Sequence, residues 1–211
     1  MREDADFARI TARTLADYDR RAEAFWTGTR DHDVRQNIDA LLEHMRGAPP
    51  SSILDFGCGP GRDLLTFKNL GHAPIGLEGS ARLAAMARAH SGAEVWEQNF
   101  LALSLPPDRF DGVFANAALQ HVPRRELPRV LAELRATLRP AGVLMSSNPR
   151  GNDEEGWNND RYGVYHSLES WRRFMIEAGF AELTHYYRPA GLPRDQQPWL
   201  ASVWRRVEDG A

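Results

Sequence analysis

The 211-residue chain contains one cysteine, Cys58, and one lysine, Lys68. A single thiol excludes an internal disulfide framework and fits a reducing compartment, so a cytoplasmic protein is expected. With one lysine, arginine supplies nearly all of the 26 basic residues. That skew fits the codon usage of a GC-rich bacterial genome and need not indicate phosphate binding. There is no basic excess either. The formal net charge is −3, which gives no bulk electrostatic case for binding nucleic acid or an anionic membrane. No apolar run approaches the length that spans a bilayer. The N-terminus, MREDADFARI, lacks the apolar core of a signal peptide. Internal repeats and low-complexity tracts are also missing.

What is present is an ordinary globular composition, 42% hydrophobic and 26% charged, with an above-average six tryptophans. Residues 1–47 read as an amphipathic helical segment, with Val34, Ile38, Leu41, Leu42 and Met45 on one helix face. Gly47-Ala-Pro-Pro50 ends it. Strands and helices then alternate. Strands are expected at Ile53–Phe56, Pro74–Leu77, Glu94–Trp96, Phe110–Ala115, Gly142–Ser146, Ala181–Tyr187 and about Leu200–Arg205. Helices are expected at Arg62–Leu70, from Ser80 to about His90, at Leu127–Leu138 and after Ser167. Such alternation predicts an α/β fold, a mostly parallel sheet with helices on both faces. The stretches Asn148–Tyr165 and Arg188–Pro198 read as irregular, and long loops in a compact domain are often functional.

The strongest local signal is ILDFGCGPG, residues 53–61. An apolar strand runs into three glycines at alternate positions, and a helix follows. Glycine permits a sharp turn and close approach to a ligand, and the amides at the helix start face that ligand. Glu78 ends the next strand, where an acid accepts both hydroxyls of a ribose. A dinucleotide site would fit these features too, but it usually spaces its glycines G-x-G-x-x-G.

The pattern Asp55-Phe-Gly57-Cys-Gly59-Pro-Gly61 resembles the first motif of the class I S-adenosylmethionine-dependent methyltransferases, and the resemblance runs over about residues 51–206. It implies a single Rossmann-like domain over residues 1–211, a three-layer sandwich with residues 1–47 as a helical cap. The implied sheet has seven strands, mostly parallel, in the order 3-2-1-4-5-7-6, the last strand antiparallel. The cofactor implied is S-adenosylmethionine, leaving as S-adenosylhomocysteine. Asp55, Gly57, Gly59 and Gly61 match its loop, Cys58 sits inside it, and Arg62 is a candidate partner of the cofactor carboxylate. Glu78, Gly79 and Ser80 match the ribose turn, although Asp is as usual as Glu there. Asn99 and Phe100 fall at the adenine position, Asn99 departing from the commoner Asp. Asn116 ends the fourth strand, under the sulfonium. Tyr18 and Trp26 are expected to close the methionine end from the cap.

Methyl transfer from a sulfonium is an in-line displacement, so the protein must bind, align and shield. A base is needed only where the acceptor must lose a proton. His121 is the candidate, either as a base or as a brace of its turn. Acceptor contacts are expected from Arg150, Trp157, Tyr162 and His166, which mix charge with aromatic surface. The small appendages favour a small-molecule acceptor, with the protein a monomer or homodimer. No metal cluster is expected, since Asp153, Glu154 and Glu155 read as a solvated charge run. Two other readings remain: a nicotinamide-dependent oxidoreductase and a non-catalytic S-adenosylmethionine-binding protein.

Overall fold

The computed structural model describes residues 2–208; residue 1 and residues 209–211 of the expected domain lie outside the described residues. Three helices come first: α1 (Arg2–Arg20), α2 (Ala22–Thr29) and α3 (Arg35–His44). Strand and helix then alternate through β1 (Ser52–Phe56), α4 (Arg62–Asn69), β2 (Ala73–Glu78), α5 (Ala81–Ser91) and β3 (Glu94–Glu97). After β4 (Phe110–Asn116), a short 3₁₀ turn at Leu119–His121 leads to α6 (Leu127–Thr137) and β5 (Leu138–Pro149). A hairpin follows, β6 (Glu154–Asn158) and β7 (Arg161–Tyr165), then α7 (Leu168–Glu177), β8 (Phe180–Arg188) and β9 (Trp199–Arg206).

The main sheet has seven strands in the order β3-β2-β1-β4-β5-β9-β8. With the hairpin set aside, this is the order 3-2-1-4-5-7-6. β9 runs antiparallel to both of its neighbours, as expected of the last strand. The period-two alternation of a strand sends successive residues to opposite faces. Ile53 of β1 packs with Ile38, Leu41, Phe67 and Phe114 under α3 and α4. Leu54 packs with Leu131, Leu134, Trp171 and Met175 under α6 and α7. Three layers result. On the α7 side, Ser202 Oγ accepts the indole N–H of both Trp171 (3.0 Å) and Trp204 (2.8 Å). All three residues are buried, so one hydroxyl satisfies two donors that water cannot reach.

The local signals for the helix starts hold. Ser80 and Ser167 cap α5 and α7, their side chains accepting from Leu83 N and Ser170 N. One expectation fails. Asn148–Tyr165 is not an irregular loop, because Glu154–Asn158 and Arg161–Tyr165 pair antiparallel as a two-stranded sheet. Asn159, at φ 55°, makes the tight turn between them, a conformation Asn tolerates better than most residues.

That hairpin docks on α1. Arg161 Nε meets Asp17 Oδ2 at 2.8 Å, Arg13 meets Asp160 at 2.8 Å, and Tyr162 N donates to Thr14 Oγ1 at 3.1 Å. On its other side α1 is tied to α5, where Asp19 Oδ1 accepts from Ser80 Oγ (2.5 Å) and Arg82 N (3.1 Å). The helical cap and the hairpin thus form one roof over the carboxyl ends of β1, β2 and β4. No helix among the described residues is long and apolar enough to cross a membrane.

Candidate active site

Under this roof lies a cavity of about 770 Å³, within the range of sites for cofactors and small molecules, roughly 300–1,000 Å³. Its floor is the loop after β1. Gly57 has φ +77°, and a Cβ there would stand 2.6 Å from the Ala118 Cβ and 3.2 Å from Phe100. Only glycine fits that approach. Gly57 N and Cys58 N donate to the Leu77 carbonyl at 2.8 and 3.1 Å, which fixes the loop against the end of β2.

Glu78 lines the cavity beside this loop. Its Oε2 accepts from Gly59 N (2.9 Å) and its Oε1 from Ser80 N (2.8 Å). A carboxylate has about four acceptor positions, so roughly two remain for a diol. Burial raises the Glu78 pKa, with the backbone donors opposing the shift. Asp63, in the first turn of α4, also lines the cavity and pairs with Arg62 at 2.7 Å. Arg62 further donates to the Thr29 carbonyl at 2.7 Å. Asn116 Oδ1 accepts from the buried Asn37 of α3 at 3.0 Å, and Asn37 Oδ1 accepts from Tyr186 Oη at 2.9 Å.

The roof side is aromatic and hydrogen-bonded. Tyr18 Oη lies 2.8 Å from His121 Nε2, and His121 Nδ1 lies 2.7 Å from the Tyr162 carbonyl. A carbonyl only accepts, so Nδ1 carries the proton and Nε2 accepts from the tyrosine hydroxyl. Burial lowers the His121 pKa, and the charge of Arg161 pushes it the same way. Burial drives Tyr18 up to about 12 despite the Arg161 guanidinium 3.9 Å above its ring. His121 is neutral here, and both of its nitrogens are already engaged.

The cavity gathers most of the expected cofactor residues: Tyr18, Gly57, Cys58, Gly59, Arg62, Glu78, Gly79, Asn99, Phe100 and Asn116, together with His121 and Tyr162. Phe100 is held by stacking on Phe56, with ring centroids 4.2 Å apart. Asn99 Oδ1 already accepts from Leu101 N at 2.8 Å, so one acceptor position is left on that oxygen. The Cys58 thiol packs toward Gly76 of β2, and burial raises its pKa well above the usual thiol range, which disfavours the thiolate.

Seven expected residues lie outside the cavity lining. Asp55 is buried beneath the loop with Oδ2 lacking a hydrogen-bond partner among the described residues. Gly61 serves helix packing, since a Cβ there would meet the Ala87 backbone at 2.8 Å. The Ser80 hydroxyl is consumed by the α5 cap and Asp19. Trp26 packs edge-on against His90, ring centroids 4.8 Å apart, while its neighbour Phe25 faces the cavity. The Arg150 guanidinium donates to the Gln197 and Arg194 carbonyls, at 2.8 and 2.6 Å, and pins that loop. Trp157 is on the outside of the hairpin, with Arg13 over its ring at 4.4 Å. His166 is buried against Trp171 and Phe174, near Asp153. Conversely, Asn37 and Asp63 were missed. A lone Asn beside an apolar helix face and an acid two residues past the last glycine were the available signals. No group of metal-ligating side chains occurs among the described residues.

A family model described as a methyltransferase domain matches residues 53–142. Malonyl-acyl-carrier-protein O-methyltransferase of Pseudescherichia vulneris is 30% identical over 177 residues, 79% of this chain and 68% of that protein. Trans-aconitate 2-methyltransferase of Azoarcus sp. (strain BH72) is 35% identical over 106 residues, 49% of this chain and 41% of that protein. The chain therefore spans about two thirds of the first relative and less than half of the second. Among solved structures, 1,6-didemethyltoxoflavin-N1-methyltransferase of Burkholderia thailandensis, holding its acceptor and S-adenosylhomocysteine, matches with a TM-score of 0.77 at 19% identity. That match covers 97% of this chain and 90% of the other and shows a shared fold.

Proposed function

The chain belongs to the class I S-adenosylmethionine-dependent methyltransferases, and on that footing we propose that it transfers the methyl group of S-adenosylmethionine to a small-molecule acceptor. One observation carries the choice of cofactor: the acids Asp63 and Glu78 both line the cavity at the glycine loop. A dinucleotide would bring a pyrophosphate to the N-terminus of α4. There it would meet Asp63 and Glu78, two acids offset, among the described residues, by Arg62 alone. A cofactor bearing a sulfonium and an ammonium, and no phosphate, suits those acids instead. This favours the methyl donor over nicotinamide.

Glu78 would hold the ribose diol through its remaining acceptor positions. Gly57 and Gly59 let the backbone approach closely, and Phe100, Leu101 and Gly79 enclose the base. Asp63, Asn116 and Tyr18 surround the methionine end. Bound S-adenosylmethionine supplies an electrophilic methyl group. The roof of α1 and the hairpin excludes water, and the rest of the cavity positions the acceptor. Alignment of two reactants is worth a large part of such a barrier. The two relatives above are named for methylating trans-aconitate, a small acid, and malonyl-acyl-carrier protein, a short acyl group on a protein carrier. We place the protein in the cytoplasm.

Incubation with methyl-labelled S-adenosylmethionine and an extract of small metabolites tests this reading. Label is expected in the low-molecular-weight fraction. S-adenosylhomocysteine binding without transfer to any metabolite would favour a non-catalytic binding protein.

A further inference from the structure

Beyond Asn116 the cavity continues between the turn after α2 and the sheet end. His32, Asp33, Pro149, Tyr165, Arg188 and Trp199 wall this compartment. Four arginines line the cavity as a whole: Arg21, Arg62, Arg161 and Arg188. Three of them have carboxylate partners, the Asp17 carboxylate being shared by Arg20, Arg21 and Arg161. Arg21 and Arg161 both pair with Asp17, at 3.1 and 2.8 Å, and Arg62 pairs with Asp63. Arg188 differs. Among the described residues its guanidinium has no ion pair, and its hydrogen bond goes to the Asp33 backbone carbonyl. The Asp33 carboxylate itself is turned to Arg35 N, at 2.9 Å. A guanidinium has five N–H donors in a fork that matches a carboxylate. Most of that fork is unspent in the acceptor compartment.

At the methionine end of the cavity the titratable groups are already committed, while His32, on the wall beside Arg188, is exposed and stands outside that set. His121 is committed at both nitrogens, and the Tyr18 hydroxyl is committed to His121. Asp17 and Asp63 carry arginine partners, and Glu78 is engaged by two backbone amides. An acceptor that must lose a proton finds no uncommitted base at the methionine end, whereas a carboxylate attacks as it stands.

We infer that the acceptor is a small organic diacid, one carboxylate seated on Arg188 and the other methylated on oxygen. A carboxylate in a two-pronged guanidinium pair has a lone pair on each oxygen engaged and its charge offset, which weakens it as a nucleophile, so the anchored and reacting groups are different ones. The step balances without a proton. An O–CH₃ bond forms, the S–CH₃ bond breaks, and its electron pair stays on sulfur. One negative and one positive charge disappear, and the product is a methyl ester.

This inference rests on the methyltransferase reading, and the test separates the two. Protein saturated with S-adenosylhomocysteine is titrated calorimetrically with malonate, succinate, glutarate, citrate and aconitate, and with the matching amides. At least one acid should bind and its amide should not. Arg188→Gln should weaken the acid about 10- to 100-fold, the range of a lost charge-assisted pair. It should leave S-adenosylhomocysteine affinity unchanged. Arg188→Lys keeps the charge and should recover part of the loss. With labelled donor, mild base should release the label as methanol. The diacid assignment is overturned if S-adenosylhomocysteine binds but no acid does, if Arg188→Gln binds acids like the wild type, or if the labelled product is stable to base. Failure of S-adenosylhomocysteine to bind overturns the methyltransferase reading itself.

Discussion

Replacing Glu78 probes the cofactor assignment at its most specific point. In the structure its two oxygens each accept one backbone N–H, from Gly59 and Ser80. The remaining acceptor positions are assigned to a ribose diol. Hydrogen bonds to a charged group contribute roughly 1.5–3 kcal/mol each. Losing two in Glu78→Ala corresponds to roughly 3–6 kcal/mol, or about two to four orders of magnitude in Kd. The alanine also strands two buried amides, at about 1–3 kcal/mol each, so the variant is less stable as well as weaker in binding. Glu78→Gln keeps the shape and one carbonyl oxygen. Its NH₂ must face one of the two backbone donors, so about half of the binding loss is expected with a smaller fall in stability. The assay is calorimetric titration with S-adenosylhomocysteine, paired with a melting curve for each variant. A folded Glu78→Gln protein whose Kd stays within about twofold of wild type would refute the ribose role, since even one lost charged bond amounts to tenfold or more.

Four further perturbations follow from the packing. Gly57→Ala places a Cβ 2.6 Å from the Ala118 Cβ at φ +77°, whereas Gly191→Ala, at φ +76° with open space around it, bears only the backbone strain. The melting temperature should drop further for Gly57→Ala, by an additional ~1–3 kcal/mol of overlap, and S-adenosylhomocysteine binding should be lost only there. Ser202→Ala leaves the Trp171 and Trp204 indole N–H groups without their shared acceptor. The expected cost is about 2–6 kcal/mol, read from denaturant unfolding. Tyr18→Phe removes the donor to the buried His121 Nε2 and should cost about 1–3 kcal/mol, a fall in melting temperature of several degrees for a domain of this size. Asp55 is held well above the usual carboxylate range, first by burial and then by the nearby Asp63. A raised folded-state pKa gives stability that is full below the unfolded value, about 3.9, and is lost as pH rises toward the folded value. Asp55→Asn should therefore gain on the wild type as pH is raised from 4 to 8. A stability difference that is flat with pH would show that Asp55 is not held protonated.

The strand order and the glycine loop were legible because their signals are local. Apolar runs, alternate glycines and Glu78 at a strand end are contiguous patterns with one backbone solution. What faces the cavity was less legible. Trp26 and Phe25 are adjacent in α2, and neighbours on a helix point about 100° apart. The phase of one turn decides which ring lines the site, and composition favoured the wrong one. The hairpin escaped notice because Gly156 and Gly163 dilute its alternation, although Asn158-Asn159-Asp160 is a reasonable turn signal. Its importance comes from long-range pairs, Arg161 with Asp17 and Arg13 with Asp160, which no local pattern reveals. Arg150 looked like an acceptor contact from its place after β5, yet its guanidinium is spent on two carbonyls. The cation with unspent donors in the acceptor compartment is Arg188, where the pattern of Tyr186, Tyr187 and Arg188 allows an acceptor contact but fits the final hairpin better.

The central claim, a methyl-donor site built on the loop after β1, is tested most directly by thermal denaturation with two competing ligands. A ligand at one hundred times its Kd stabilises the native state by about 2.7 kcal/mol, which is roughly 5–11 °C for a domain of this size. S-adenosylhomocysteine is predicted to raise the melting temperature by this amount and NAD(H) to leave it unchanged. A rise with NAD(H) and none with S-adenosylhomocysteine would contradict the account.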